Sequence, residues 1–262
     1  MVRIVEFKPG RFSIEATSEL VAALRQYGVC FSSSPKNRFK AGERLVFSQD
    51  TQVEPYCGYL EGENIFSLGA FSFSHAALPA AAKVGRYCSI GERVNYFGSN
   101  HPTGFVSTSP FFYETKKGFM SMPFEHEGVA PRKVDLSSTR RRRAVVEHDV
   151  WIGEGVTLGW NLTVGVGSVI AARSVVTKDV PPYAIVAGVP AKVVRFRFPE
   201  ELAARLLASG WWNYNLTKFY DLPFNDPEQF VEGFEALKAA GALTPLPPPR
   251  PLIDVLTELG FA

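Results

Sequence analysis

An aliphatic residue recurs at every sixth position in the second half of the chain. The members of this series are Val146, Ile152, Leu158, Val164, Ile170 and Val176. Glycine directly follows three of them, at Gly153, Gly159 and Gly165, and the fifth position of each unit is small or aliphatic. Since 46% of the chain is hydrophobic, six such matches in a row would arise by chance about once in a hundred.

A period of six does not fit an α-helix and is too long for a single strand and hairpin. It is typical of a coil with short flat sides, in which each side adds one strand to a parallel sheet and the aliphatic residue points inward. We expect the glycine and the small residue to permit the corners. The same phase occurs upstream at Val84-Gly85 and Ile90-Gly91. A sandwich of valine-rich strands is the alternative, but sandwich strands alternate with period two.

The repeat breaks at Phe97 and resumes at Val146, and the intervening segment is rich in serine, proline and aromatic residues. A long excursion within a compact repeat is functional or disordered, and its aromatic content favours an ordered functional loop. Helical spacing of apolar residues flanks the coil on both sides. The sequence therefore predicts three parts: an N-terminal segment of helix and strand (1–50), a β-helix domain (51–198) with the loop 97–144, and a C-terminal helical extension (199–262).

Composition excludes several classes of protein. The 262 residues carry a net charge of only +2, too little to indicate nucleic-acid binding. The three cysteines include no CxxC pair, so neither a disulfide framework nor a zinc site is indicated. The chain starts without a signal-peptide pattern, and no apolar run approaches the ~20 residues of a membrane span. We expect a cytoplasmic protein with no nucleic-acid partner and no membrane span.

The segment from Asp149 to Phe198, which includes DVWIG and SVVTKDVPPYAIVAGVPAKVVR, resembles the hexapeptide-repeat acetyltransferases. The motif Ser99-Asn100-His101-Pro102, followed by Trp211-Trp212, is similar to the branch that holds chloramphenicol and streptogramin acetyltransferases. The loop SNHPTGFVSTSPFFY is most similar to bacterial polysaccharide O-acetyltransferases of that branch. The resemblance implies a left-handed parallel β-helix, acetyl-CoA as cosubstrate, and a homotrimer with active sites between adjacent subunits.

His101 is the candidate general base. Acetyl transfer from a thioester to a hydroxyl needs a group that takes the hydroxyl proton, and an imidazole with a pKa near ~6.5 suits that task. His101 lies on the loop and matches the family's catalytic histidine; the alternative is a loop histidine bonded to backbone. We expect structural roles for His75, His126 and His148, with His148 at an outward position of the repeat. The histidine spacings indicate no metal site.

The resemblance also implies a coenzyme A site. It assigns Trp151 a place beside the thioester, where an indole offers a flat wall and an N–H donor; packing between coils is the alternative. The remaining cofactor residues are Ala172, Thr177, Lys178 and Arg195. Lys178 and Arg195 supply cations for the phosphates, and solvated surface cations are the alternative for both.

The candidate acceptor site consists of polar and aromatic residues. Its members are Asn100, Phe111, Phe112, Trp211 and Trp212, with Phe105 and Tyr113 expected to stack on sugar rings and Ser107, Thr108 and Ser109 to bond sugar hydroxyls. Trp211 and Trp212 would roof the pocket or, alternatively, anchor the terminal helix to the coil. The run from Arg140 to Arg143 either attracts an anionic acceptor or forms a solvated loop end.

These residues favour direct O-acetylation of a bacterial glycan or glycan precursor. The alternatives are acetylation of a xenobiotic such as chloramphenicol or a streptogramin, and N-acetylation of an amino-sugar nucleotide. A β-helix scaffold without catalytic activity is the structural alternative, but it leaves the coincidence of His101, Trp151 and Lys178 unexplained.

Overall fold

The computed structural model describes residues 3–34, 38–98, 100–115, 118–136 and 141–261. The chain divides into two compact units. The larger unit joins Met1–Tyr96 to Arg143–Ala262, and the excursion unit is Phe97–Arg142.

The larger unit begins with a small antiparallel sheet and a helix. Its elements are β1 (Val5–Lys8), β2 (Arg11–Glu15), α1 (Ser18–Tyr27), β3 (Val29–Cys30) and β4 (Arg44–Ser48), and the sheet order is β1-β2-β4. The side chain of Thr17 caps the N-terminus of α1, and Gly28 ends the helix with a φ of 102°. Leu20 and Leu24 of α1 are fully buried in the same core cluster as the coil.

Strands of two or three residues build the coil. They are β5 (Gln52–Val53), β6 (Cys57–Tyr59), β7 (Ser67–Leu68), β8 (Phe73–Ser74), β9 (Lys83–Val84), β10 (Ser89–Ile90), β11 (Asn95–Tyr96), β12 (Val145–Val146), β13 (Trp151–Ile152), β14 (Thr157–Leu158), β15 (Thr163–Val164), β16 (Val169–Ile170) and β17 (Val175–Val176). The hairpin of β18 (Ala184–Gly188) and β19 (Ala191–Phe196) follows the last of them.

The coil strands form three faces. The first face has the order β3-β6-β8-β10-β13-β16-β18-β19, the second includes β5-β7-β9-β12-β15, and the third is β11-β14-β17. Neighbouring coil strands are parallel, so Trp151 lies between Ser89 of one coil and Val169 of the next. The left-handed parallel β-helix that the resemblance implied is confirmed.

The inward series predicted from the repeat is also confirmed. Each member from Val146 to Val176 is the second residue of its strand and is at most 2% exposed. Burial of each such side chain contributes about 1.5–3 kcal/mol relative to leaving it in water, and the stack obtains that contribution from each member of the series.

The role expected of the repeat glycines needs correction. A Cβ added at Gly153 would lie 2.6 Å from the backbone nitrogen of Ala172, and one at Gly165 would lie 2.8 Å from that of Pro182. These glycines are therefore required because the next coil's backbone passes so close. The left-handed residues that turn the corners lie three positions after the inward residue, as at Asp149 and Arg173, with φ of 54° and 61°.

The excursion unit contains short helical segments. Its 3-10 turns are Pro110–Phe112 and Gly118–Met120, and its α-helix is α2 (Met122–His126). Ser99 lies outside the described residues.

The C-terminal extension packs on the coil in two places. Its elements are α3 (Glu200–Ser209), α4 (Pro227–Ala239), β20 (Arg250–Pro251) and α5 (Leu252–Glu258), with 3-10 turns at Trp211–Asn213 and Leu216–Lys218. Helices α3 and α4 form a second core cluster with Val166 and Tyr183 of the coil. Strand β20 pairs with β5, and α5 joins the core of the coil.

A buried ion pair connects the coil to this extension. Glu54 and Arg86 are 3% and 8% exposed, and the Arg86 Nε donates to both carboxylate oxygens at 3.0 and 2.8 Å. The same guanidinium donates to the Asn213 side chain at 3.1 Å and to the Pro247 carbonyl at 3.2 Å. Because the bonds between Arg86 and Glu54 are buried, removal of either partner would leave an uncompensated charge in the interior.

His148 lies at this junction, where the C-terminal extension covers its outward position in the repeat. Its Nδ1 accepts a hydrogen bond from the Arg86 backbone N–H at 3.0 Å, and its ring stacks on Trp212 at 5.4 Å. Burial, together with the nearby Arg86 guanidinium, lowers the pKa of His148 to about 4. His148 is therefore neutral near pH 7 and has a packing role.

Candidate active site

His101 is held by a network within the excursion unit. Its Nδ1 lies 2.8 Å from the backbone carbonyl of Thr108 and 2.7 Å from the hydroxyl of Tyr113. That hydroxyl donates to the same Thr108 carbonyl at 3.0 Å. Two groups, which also bond each other, thus converge on Nδ1 of the imidazole ring.

This network assigns the tautomer of His101. A carbonyl oxygen can only accept, so the short contact to Thr108 requires that Nδ1 carries the proton. In the neutral ring Nε2 then holds a free lone pair, and it bonds no other group among the described residues. A neutral imidazole with an unengaged nitrogen on an exposed residue is suited to abstract a proton.

Local turn chemistry builds this arrangement. The segment folds back through a turn in which the Phe105 N–H bonds the Pro102 carbonyl at 3.3 Å. Pro110 then begins a 3-10 turn that ends at Tyr113. The Phe105 ring meets Tyr113 edge-on at 6.3 Å, which supports the tyrosine ring.

Thr108 and Tyr113 have a role that the sequence analysis does not include. Sequence reasoning assigns both to sugar contacts, and in the structure the Thr108 carbonyl and the Tyr113 hydroxyl both hold His101. Their separations of seven and twelve residues from His101 match no helix or strand period, so periodicity could not connect them.

The other acceptor residues of the excursion unit are accessible. Asn100 is exposed, and Phe111 and Phe112 are 37% and 53% exposed. Phe111 packs against Phe119 at 5.5 Å, which supports its ring from one side. These rings offer an apolar surface to a ligand.

Trp151 projects from the first face of the coil. Its side chain is 58% exposed, which is incompatible with packing between coils. Ser89 and Val169, its neighbours in register, are small enough to leave the indole face open.

The remaining cofactor candidates lie together in the last coil and the strand after it. Ala172 lies in the corner after β16, Thr177 and Lys178 directly follow β17, and Arg195 lies on β19. All four are exposed. Within the described part of the chain, the Lys178 ammonium has no hydrogen-bond or ion-pair partner, and the Arg195 side chain bonds only the Phe196 carbonyl, at 3.1 Å.

The two adjacent tryptophans have different environments. Trp212 is 8% exposed and stacks on His148, which is the packing of an anchor and leaves little of the ring for a ligand. Trp211 lines a pocket of the larger unit instead.

The arginine run is not uniformly solvated. Arg140 lies outside the described residues, and Arg141 and Arg142 are exposed. The guanidinium of Arg143 lies 5.6 Å from the ring centres of both Tyr96 and Trp160, a cation–π arrangement that neither earlier alternative included.

Within the described ranges, no three His, Cys, Asp or Glu side chains are grouped as metal ligands. None of the helices there combines the length and apolar character that a membrane crossing requires.

Comparison with known proteins identifies relatives of this chain. Chloramphenicol acetyltransferase of Klebsiella aerogenes is 32% identical over 166 residues, which cover 62% of this chain and 74% of that protein. Chloramphenicol acetyltransferase of Agrobacterium fabrum is 35% identical over 162 residues, or 61% of this chain and 72% of that protein. Galactoside O-acetyltransferase of Escherichia coli K12 is 48% identical over 50 residues, 19% of this chain and 25% of that protein.

Among solved structures, a hexapeptide-repeat acetyltransferase of Vibrio cholerae in complex with acetyl-coenzyme A is similar to this chain. Its sequence identity is 23%, with 55% of this chain and 62% of that chain covered and a TM-score of 0.35. No family model matches the chain. The two chloramphenicol acetyltransferases nevertheless exceed 30% identity over nearly three quarters of their own length. On that ground the chain belongs to the hexapeptide-repeat acetyltransferases, in the branch of the chloramphenicol acetyltransferases.

Proposed function

We propose that this acetyltransferase moves the acetyl group of acetyl-CoA directly to a hydroxyl of a bacterial glycan or glycan precursor, with His101 as general base. The observation that carries the proposal is the orientation of His101, whose Nδ1 is engaged while its Nε2 is free. Family membership supplies the donor and the reaction type.

The chemistry follows from that orientation. As the acceptor oxygen attacks the thioester carbonyl, Nε2 takes the hydroxyl proton and the C–O bond forms. The C–S bond then breaks, and the imidazolium returns the proton to the departing thiolate. Because the Thr108 carbonyl accepts from Nδ1 throughout, it stabilises the imidazolium that forms between the two proton transfers.

No cysteine of the buried interior suits a covalent alternative. Burial raises the pKa of the Cys88 thiol to about 12 and also raises that of Cys57. A thiol that stays protonated near pH 7 is a poor nucleophile, which favours direct transfer.

For the donor, we propose that acetyl-CoA lies along the last coil. The exposed Trp151 would flank the thioester, Ala172 and Thr177 the pantetheine, and Lys178 and Arg195 the phosphates. The unpartnered ammonium of Lys178 supports this placement, because no carboxylate of the described residues neutralises it. We further propose a homotrimer with active sites between subunits, which light scattering of the active enzyme tests.

The exposed rings of Phe105, Phe111 and Phe112 support the assignment of a sugar as the acceptor, because the C–H faces of sugars pack on aromatic rings. The second candidate is a small xenobiotic hydroxyl, and the names of the chloramphenicol and macrolide acetyltransferases among the relatives favour it.

The acceptor proposal predicts that glycans support faster release of the CoA thiol than antibiotics do. The measurement is thiol release from acetyl-CoA with neutral and acidic bacterial oligosaccharides, chloramphenicol, a streptogramin and a macrolide at equal concentrations. If an antibiotic gives a higher kcat/KM than every oligosaccharide, the xenobiotic assignment replaces ours.

For the base, we expect His101→Ala to lower kcat by roughly 10²–10⁴-fold and to leave the Kd for acetyl-CoA nearly unchanged. Tyr113→Phe removes one hydrogen bond to the ring, and we expect a smaller loss of about 5- to 10-fold, since such a bond contributes about 1 kcal/mol. Tyr56→Phe, at an exposed tyrosine of the coil, is the matched control and should retain full turnover. Near-normal turnover of His101→Ala would exclude it as the base.

For the donor site, we expect Lys178→Ala and Arg195→Ala to raise the KM for acetyl-CoA and to change kcat little. The phosphates do not change during the reaction, so their contacts bind ground state and transition state equally. Lys192→Ala removes another exposed cation of β19 and serves as the control. A large loss of kcat at saturating acetyl-CoA would contradict the proposed phosphate contacts.

A further inference from the structure

One column of corner residues runs along the coil and consists mostly of aromatic rings. Its members, all with positive φ, are Tyr56, Phe71, Tyr87, Asp149, Gly167 and Tyr183. The ring of Phe71 lies 5.3 Å from that of Tyr56 and 4.8 Å from that of Tyr87, so these three rings form a continuous pile. The pile is interrupted at Asp149 and Gly167, which carry no ring.

The gap in the aromatic pile does not lie at the coil of Gly167. A Cβ at that position would lie 2.3 Å from the ring of Tyr183, so this ring already covers the glycine. The missing ring is therefore the one at the coil of Asp149, between Tyr87 on one side and Tyr183 on the other.

A pocket of about 370 Å³ lies at this interruption. The C-terminal extension supplies its other walls, among them Trp211, Phe219 and Phe230. The Trp211 ring meets Tyr87 at 4.8 Å with an interplanar angle of 64°, and Phe224 at the same pocket is 73% exposed. This volume is about two and a half times that of a cavity of roughly 150 Å³ that accepts benzene.

Polar groups with unused bonding capacity line the same pocket. The Arg197 Nη1 donates to the Asp149 carboxylate at 2.9 Å and to the Gly167 carbonyl at 2.7 Å. The Nε and Nη2 of Arg197 bond no group among the described residues. The Tyr183 hydroxyl bonds no group among the described residues, and burial raises its pKa to about 12.

The charges of the pocket balance. Asp149 pairs with Arg197 at the surface of the pocket, and no other charged side chain of the described residues lines it. A ligand with a net charge would therefore meet an opposed charge as well as a matching one, whereas a neutral hydrogen-bond acceptor could use the free donors of Arg197.

We propose that this pocket binds a neutral, planar aromatic ligand of about two fused rings that carries a hydrogen-bond acceptor for Arg197. The ligand's rings complete the interrupted aromatic pile between Tyr87 and Tyr183, with Trp211 edge-on to the pile. The inference rests on this geometry alone and is independent of the acceptor that the enzyme acetylates.

Isothermal titration calorimetry with 2-acetylnaphthalene tests the proposal on the full-length protein. We expect saturable binding of one molecule per chain. 2-Acetyldecalin has the same carbonyl on a saturated, puckered frame, and 2-naphthoate has the same rings with a negative charge; we expect each to bind at least tenfold more weakly. Equal binding of 2-acetyldecalin, equal binding of 2-naphthoate, or no saturable binding of 2-acetylnaphthalene would overturn the proposal.

Three variants locate the binding. Phe224→Ala truncates an exposed ring of the pocket, and Arg197→Lys keeps a cation beside Asp149 but removes the guanidinium donors. We expect each to weaken binding at least fivefold in protein whose circular dichroism matches the wild type. Phe7→Ala truncates an exposed ring on β1, outside the pocket, and should leave the affinity unchanged. Unchanged affinity of Phe224→Ala, or an equal loss in Phe7→Ala, would place the ligand elsewhere and overturn the proposal.

Discussion

Close stacking of backbones from one coil to the next is the constraint on which the structure depends. Most strands of the coil have only two residues, so no pair of strands would persist alone, and each must bond the same side of the coils above and below. The distances at Gly153 and Gly165 show how little room remains between coils. Stability therefore comes from repetition of one short unit, with its aliphatic residue inside.

The same stacking arranges function. Residues on the same side of successive coils become neighbours on a face, which brings Trp151 into line with Ser89 and Val169. The last coil carries Ala172, Thr177 and Lys178. The corner column obeys the same rule, and one missing ring in it opens a pocket that the C-terminal extension encloses. His101 lies on the excursion unit, whose backbone does not follow the six-residue repeat.

The sequence was sufficient to predict what periodicity controls. The inward residues from Val146 to Val176 follow from a local pattern, and the structure agrees with it. Contacts between distant residues were not predictable in this way. The bond of Tyr113 to His101, the stacking of His148 on Trp212 and the packing of Arg143 over Tyr96 each join positions that no local period relates. The glycines were expected at corners because that is a common use of glycine, whereas here the neighbouring backbone requires them.

The central claim is that the Thr108 carbonyl and the Tyr113 hydroxyl fix His101 with its proton on Nδ1 and leave Nε2 as the base. A long-range ¹H–¹⁵N spectrum of histidine-labelled protein at neutral pH measures this directly, with the resonance assigned by its loss in His101→Ala. The account predicts a neutral ring with a protonated Nδ1 and a bare Nε2. A neutral ring with its proton on Nε2 would contradict it, because that nitrogen could not then accept the acceptor's proton.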